Sequence, residues 1–339
     1  MGSLRPQPRP VFVLGSLRSG ASLLTLSLGQ HPNLLQVLET NWFERFGIGL
    51  QEAFAEGFRH RSRSQLDVAG IEVEDFFAHF GEGIDRLMLR SVATGGEETS
   101  DGVATSSYCP QRWVDGTPSN CFGVFVLCRL FPSARFVHIV RDVEEVVTSL
   151  TTEETRRVYK SRYLRLTEEQ AYRHWLDTTR ACLEAERAFG SAVVLRVRRD
   201  DLIAAPEQTL RRCLDFLGEP FAPACLRPFS SVHPAEQPLA DRADAKRNQS
   251  KLRKLQIEAE TLNDFLFAEA SRAVAYSEDP LRIAEMEAAF SARCERGLSG
   301  VPTTLPGFGP SKRGRLDGLP SWLSAGLRRG MIGHEPGSR

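Results

Sequence analysis

Short apolar runs alternate along the chain with longer stretches whose apolar residues recur at helical spacing. The first run, Val11 to Leu14, leads into a loop bracketed by Gly15 and Gly20. A helix is predicted from Gly20 to Gln30 on Leu23, Leu24, Leu26 and Leu28, stopped near His31-Pro32. Asn33 to Leu38 is then expected to extend. Asn41 to His60 carries Trp42, Phe43, Phe46, Phe54 and Phe58 at helical spacing. Val73 to Leu89 repeats that pattern, with a break expected at Gly81 and Gly83, each costing a helix about 1 kcal/mol relative to alanine. These aromatics serve either core packing or an apolar acceptor pocket.

Thr94 to Ser107 is polar and Gly-rich and reads as a loop, RWVD at Arg112 to Asp115 as a short strand, and Ser119 to Phe131 as a helix. Ala134 to Val140 is nearly all apolar, as a strand covered on both faces should be. Helices are expected at Val143 to Leu150, Glu168 to Phe189 and Pro206 to Leu217, with a strand at Ser191 to Val197 and Gly218 as the last helix's stop. This alternation of strand and helix points to an α/β fold with a parallel sheet and crossovers. Leu252 to Tyr276 and Pro280 to Cys294 look helical. From Gly297 the chain turns rich in Gly, Pro, Ser and Arg, as a mobile tail does.

Composition narrows the function classes. A chain of 339 residues, 41% apolar and 25% charged, can bury one large core. We expect one domain over residues 1–295, with a helical acceptor-side insertion at about 41–108 and a tail at 296–339. Basic and acidic residues balance at 43 each, against a polyanion-binding surface or an electrostatic membrane anchor, so no nucleic acid or membrane partner is expected. The apolar stretch behind the basic first ten residues is too short for a signal peptide or a membrane span. Seven cysteines without a C-x-x-C pair suggest a reducing compartment, the cytoplasm.

The glycine-bounded loop has the geometry of the phosphate cradle G-x-x-x-x-G-K-[ST], with Ala21 at the lysine position and Ser22 after it. The missing cation is supplied from inside the loop by Arg18. Inward N–H groups and the positive end of the following helix face an anion, smaller than the triphosphate that the lysine normally serves. In open parallel sheets ligands sit outside the carboxyl ends of the strands, so Gly15, Arg141 and Arg198-Arg199 should gather on one edge. A guanidinium at a strand end, such as Arg141, suits a bidentate phosphate contact, or else a salt bridge to Asp142. No histidine pair has metal-ligand spacing, so no metal is expected; His138 reads as a core residue, and His31, His60, His174, His233 and His334 fall in no catalytic motif.

These residues resemble the sulfotransferases that use 3′-phosphoadenosine 5′-phosphosulfate (PAPS). The family's 5′-phosphosulfate loop commonly reads R-S-G-T-[ST], matched by Arg18, Ser19, Gly20, Ala21 and Ser22, with alanine for the usual threonine. Its 3′-phosphate motif, an Arg-Asp after an apolar strand with a serine eight residues beyond the arginine, is matched by RDVEEVVTS at Arg141 and Ser149. VLRVRRDDLIAAPEQTLRRCLDFLGEPF resembles a later strand and helix with Y-E-D-L in the middle, Arg199 standing at the tyrosine. RWVDGTPSN resembles a D-K-T-P element, with Gly116 at its lysine. The likeness runs from about Pro10 to Phe221, closest to the branch of tyrosylprotein and bacterial small-molecule enzymes.

The resemblance implies a three-layer α/β sandwich with a central, mostly parallel sheet and a P-loop-like 5′-phosphosulfate loop. It implies PAPS as co-substrate, adenosine 3′,5′-bisphosphate as product, no metal, and a small-molecule, carbohydrate or peptide acceptor. In the tyrosylprotein branch a glutamate followed by threonine comes after a similar H-P segment, so Glu39 before Thr40 stands as the general base, or as a solvated glutamate ahead of a helix that Thr40 or Asn41 caps. Ser250 and Lys251 match a late segment that closes over the nucleotide, or form a solvated basic turn. A small-molecule kinase with a degenerate loop and a non-catalytic nucleotide-binding protein are the alternatives.

Overall fold

Every strand of the central sheet runs the same way, so all of its carboxyl ends lie on one edge. A computed structural model describes residues 9–58, 65–93, 110–152, 166–231, 249–268 and 274–295. The strands are β1 (Val11–Leu14), β2 (Leu34–Gln36), β3 (Arg112–Asp115), β4 (Arg135–Val140) and β5 (Val194–Arg198), in the spatial order β2-β3-β1-β4-β5. Parallel pairing sets Val11 opposite both Val114 and Arg135, and Val140 opposite Arg198. From β1 the chain goes to β2 and β3 on one side, then crosses to β4 and β5 on the other. That reversal puts the topological switch point, where such sheets bind ligands, at the end of β1.

Alternate strand residues feed two cores, which makes the sandwich three-layered. On one face Phe12, Leu14, Trp113 and Phe136 pack with α2 (Phe43–Phe58), α4 (Val73–Ala93), α5 (Val124–Leu130), α7 (Glu168–Phe189) and α11 (Pro280–Glu295). On the other, Val11, Val13, Val137, Ile139 and Val197 pack with α1 (Ala21–Leu28), α8 (Arg199–Ala204) and α9 (Pro206–Leu217). The remaining helices are α3 (Gln65–Val68), α6 (Val143–Thr151) and α10 (Gln249–Phe267). Trp42, Phe43, Phe46 and Phe76 join the first core, where Phe12 and Trp113 meet edge to face with ring centroids 5.4 Å apart. Phe54 and Phe76 lie 5.3 Å apart across the α2–α4 contact.

Four expected elements differ from the structure. α4 is one helix of 21 residues without a break, because Gly81 lets it lie against the Leu130 carbonyl of α5. The expected helix at Ser119 divides into a 3-10 turn, Pro118–Phe122, and α5 after Gly123. β5 begins at Val194 rather than Ser191 and ends at Arg198, so Arg199 opens a helix. α10 ends at Phe267, short of Tyr276. The expected loop at Thr94 to Ser107, and His60, His233, His334 and the tail, lie outside the described residues. Residues 302–339 lie wholly outside them.

Candidate functional site

The loop after β1 is held in a conformation that ordinary residues avoid. Gly20 has φ +100° and Arg18 a left-handed φ of +66°, a geometry that costs a non-glycine residue of order 1–3 kcal/mol and persists only where neighbours enforce it. The neighbours here are specific. The Arg18 carbonyl accepts a hydrogen bond from Arg141 Nη1 at 2.9 Å, and Arg18 Nε donates to Ser149 Oγ at 2.8 Å. Leu17 N–H donates to His174 Nε2 at 3.1 Å, which requires an imidazole without a proton on that nitrogen. Burial lowers the His174 pKa to about 4 and so keeps the ring neutral.

α1 starts at Ala21 with no side chain capping it, so its first N–H groups remain open to an anion. Ser19 Oγ is buried without a hydrogen-bond partner, while Ser22 lies exposed at the helix start. A buried hydroxyl without a partner beside uncapped N–H groups suits an anion.

Arg141 follows β4, and Ser149 lies near the far end of α6 with its side chain returned toward the loop. Asp142 does not pair with Arg141. It caps α6 by accepting the N–H groups of Glu144 and Glu145 at 2.9 and 3.2 Å, and it accepts Asn263 Nδ2 of α10 at 2.9 Å. Arg141 Nε instead donates to Glu145 Oε2 at 2.7 Å, and the Arg141 carbonyl accepts Trp175 Nε1 at 3.2 Å. Arg199 joins from the end of β5. Its Nη1 lies 3.5 Å from the same Glu145 oxygen, and its stem lies over Gly20. Burial, then the charges of Arg141 and Arg18, lower the Arg199 pKa.

Glu39 lies on the segment after β2, on the same strand-end edge, exposed. Partial desolvation raises its pKa, against a 3.5 Å hydrogen bond from Asn41 and with the nearby Asp115 charge. Thr40 does not cap α2. Its hydroxyl donates to Asp115 Oδ2 at 2.7 Å and its N–H to Thr117 Oγ1 at 2.8 Å. Asp115, fully buried at the end of β3, also accepts Thr117 N–H, Thr117 Oγ1 and Asn120 Nδ2 at 2.9, 2.6 and 2.8 Å. Burial raises its pKa, and those bonds oppose the rise. The segment bearing Glu39 is thus tied to β3 through one carboxylate.

A model of the sulfotransferase family matches residues 10–223, well over half of the chain. The chain belongs to the sulfotransferase family. It is 26% identical over 213 residues to protein-tyrosine sulfotransferase 2 of Gallus gallus, covering 61% of this chain and 50% of that protein. It is 31% identical over 141 residues to omega-hydroxy-beta-dihydromenaquinone-9 sulfotransferase Stf3 of Mycobacterium bovis, covering 40% and 34%. The chain thus spans half or less of the length of these curated relatives. Solved structures resemble it at TM-score 0.42 for sulfotransferase STF9 of Mycobacterium avium (17% identity; 81% and 79% covered) and 0.39 for a mouse sulfotransferase complexed with PAP (12%; 79% and 88%). The assignment to the family rests on the family match.

For a sulfotransferase, the glycine at position 116 has a steric cause. A Cβ there would lie 2.3 Å from Thr25 Oγ1, so a side chain at this position requires the Thr25 side chain or α1 to shift. Ser250 is exposed at the start of α10, and Lys251 Nζ lies 3.3 Å from Glu169 Oε1 of α7. His138 is buried in β4 with Nδ1 2.5 Å from Glu186 Oε1, and His31 is satisfied by Pro220 O and Asn33 N–H. Sequence reasoning missed Asp115, Glu145 and His174 as parts of the site. Asp115 stood within the D-K-T-P likeness and Glu145 stands four residues after Arg141 in RDVEEVVTS, but no local pattern signals His174.

Among the described residues, no group of three or more His, Cys, Asp or Glu could hold a metal ion, and no helix is long and apolar enough to cross a membrane. The six cysteines described, including buried Cys121 and Cys182, are free thiols.

Proposed function

We propose that this sulfotransferase moves a sulfuryl group from PAPS to an acceptor hydroxyl, releasing adenosine 3′,5′-bisphosphate. The observation that carries the reading is the meeting of two motifs far apart in sequence: Arg18 of the loop bonds Ser149, and Arg141 bonds the Arg18 carbonyl. Two anion-binding elements fused in this way suit a nucleotide with charge at both its 5′ and 3′ positions. The names of the chicken and mycobacterial relatives both denote hydroxyl acceptors, a tyrosine and an omega-hydroxy-beta-dihydromenaquinone, which supports the hydroxyl. The acceptor is a small molecule, a sugar or a peptide.

PAPS, when bound, supplies the sulfuryl group and, as its leaving group, the 5′-phosphate of adenosine 3′,5′-bisphosphate. The N–H groups from Gly20 to Ser22 orient the 5′ end, and Arg18 places a fixed positive charge where the leaving oxygen gains negative charge. Arg141 and Ser149 hold the 3′-phosphate, with Ser250 and Lys251 completing the nucleotide set. Glu39 takes the proton of the attacking hydroxyl, its pKa raised toward the working range by desolvation. An acceptor screen with labelled PAPS tests the assignment. With a confirmed acceptor, Glu39→Gln is expected to lower turnover by roughly 100- to 10,000-fold while leaving bisphosphate affinity intact. Full turnover in that variant would rule Glu39 out as the base.

A further inference from the structure

We infer that Arg199 is a second guanidinium of the 3′-phosphate grip, working with Arg141 across the carboxylate of Glu145. The inference rests on the proposed use of adenosine 3′,5′-bisphosphate and concerns a position where the resemblance leads one to expect tyrosine.

Arg141 Nε and Arg199 Nη1 reach the same oxygen, Glu145 Oε2, at 2.7 and 3.5 Å. Two forks held at one oxygen are spaced to receive a group with several acceptor oxygens between them, which is how arginine pairs bind phosphate monoesters. The Arg199 stem is fixed against the loop, since a Cβ on Gly20 would lie 3.3 Å from its Cγ and Cδ. The cluster is also open to entry, with the Arg199 and Glu145 side chains 28% and 45% exposed.

The energetics then ask for an anion. Arg199 opens α8, and burial together with the charges of Arg141 and Arg18 lowers its pKa. The acidic groups facing it are Glu145 and exposed Asp200; Asp142 is committed to the α6 cap and Asn263. Local stability gives little reason for a guanidinium at this place. A phosphate does.

The test is calorimetric titration of the full chain with adenosine 3′,5′-bisphosphate and adenosine 5′-phosphate. Arg199→Gln is expected to weaken the bisphosphate by about 10- to 100-fold, the worth of a charge-assisted hydrogen bond, and to leave the monophosphate within about 3-fold. Arg199→Lys, which keeps a charge without the planar fork, is expected to lose less and guards against a misfolded Gln variant. Equal losses for both nucleotides, or none for either, overturn the inference. A wild-type chain that binds the two nucleotides equally overturns the underlying reading as well. A wild-type preference that survives intact in Arg199→Gln overturns the inference alone.

Discussion

Asp115 shows how one buried carboxylate organises chemistry that it does not perform. Its Oδ1 accepts Thr117 N–H and Oγ1, and its Oδ2 accepts Thr40 Oγ1 and Asn120 Nδ2. An amide at this position must point an N–H at one of these donors. The hydroxyls can rotate away, but the Thr117 backbone N–H cannot. Asp115→Asn is therefore expected to cost about 1–3 kcal/mol in urea denaturation and to lower turnover by loosening the Glu39 segment, with bisphosphate affinity unchanged. Loss of bisphosphate binding in that variant would instead place Asp115 in the nucleotide site. At this scale, local chemistry was legible and long-range chemistry was not. Arg18, Ser19 and Gly20 are neighbours in a loop whose glycines advertise it, and Arg141 with Ser149 keeps a fixed helical register. His174 reaches Leu17 across 157 residues, and no pattern in a single sequence encodes that approach.

Helix α4 shows the same limit at the level of an element. Two glycines in three positions cost a helix about 2 kcal/mol together, and on propensity alone a break was expected. Burial outweighs that cost. Phe77 and Ile84, on either side of Gly81, are 0% and 6% exposed, and full burial of such side chains stabilises by roughly 1.5–3 kcal/mol each. Gly81 is also needed where it stands, since a Cβ would lie 1.7 Å from the Leu130 carbonyl oxygen, whereas one on Gly83 meets nothing within 4 Å. The two positions should thus respond oppositely to alanine. Gly83→Ala is expected to stabilise by up to about 1 kcal/mol and Gly81→Ala to destabilise by about 1–3 kcal/mol, both by urea denaturation. Matching signs would mean that α4 does not pack on α5 in this way. Helices with caps, by contrast, were read to the residue: Glu168–Phe189 carries a Thr167/Gln170 capping box, and Pro206–Leu217 runs from Pro at its first turn to left-handed Gly218.

Across the molecule, the parallel sheet brings Gly15, Glu39, Asp115, Arg141 and Arg199 to one edge from five separate strand ends, and the strand–helix alternation made that edge legible in the sequence. What it left open was which side chains meet there, because tertiary approach and not local pattern decides that. One such approach couples the site to pH. His174 is held neutral with a pKa near 4 against an ordinary 6.5, so between those values the unfolded chain binds more protons than the folded one. Stability should fall as pH drops from about 6.5 toward 4, by up to about 3 kcal/mol from this residue. Melting temperatures taken between pH 7 and 5 should fall less steeply for His174→Gln than for the parent chain; equal slopes would mean that His174 is not buried neutral.

The central claim is that the loop and the Arg141–Ser149 pair together bind a nucleotide carrying both 5′ and 3′ charge. Calorimetric titration of the full chain with adenosine 3′,5′-bisphosphate, adenosine 5′-phosphate and magnesium ATP, repeated on Arg141→Ala, tests it most directly. The account predicts that the parent chain binds the bisphosphate tightest, by about 100-fold, and that Arg141→Ala removes most of that preference while sparing the monophosphate. Tighter binding of magnesium ATP, or equal losses for both adenosine nucleotides in Arg141→Ala, would contradict it.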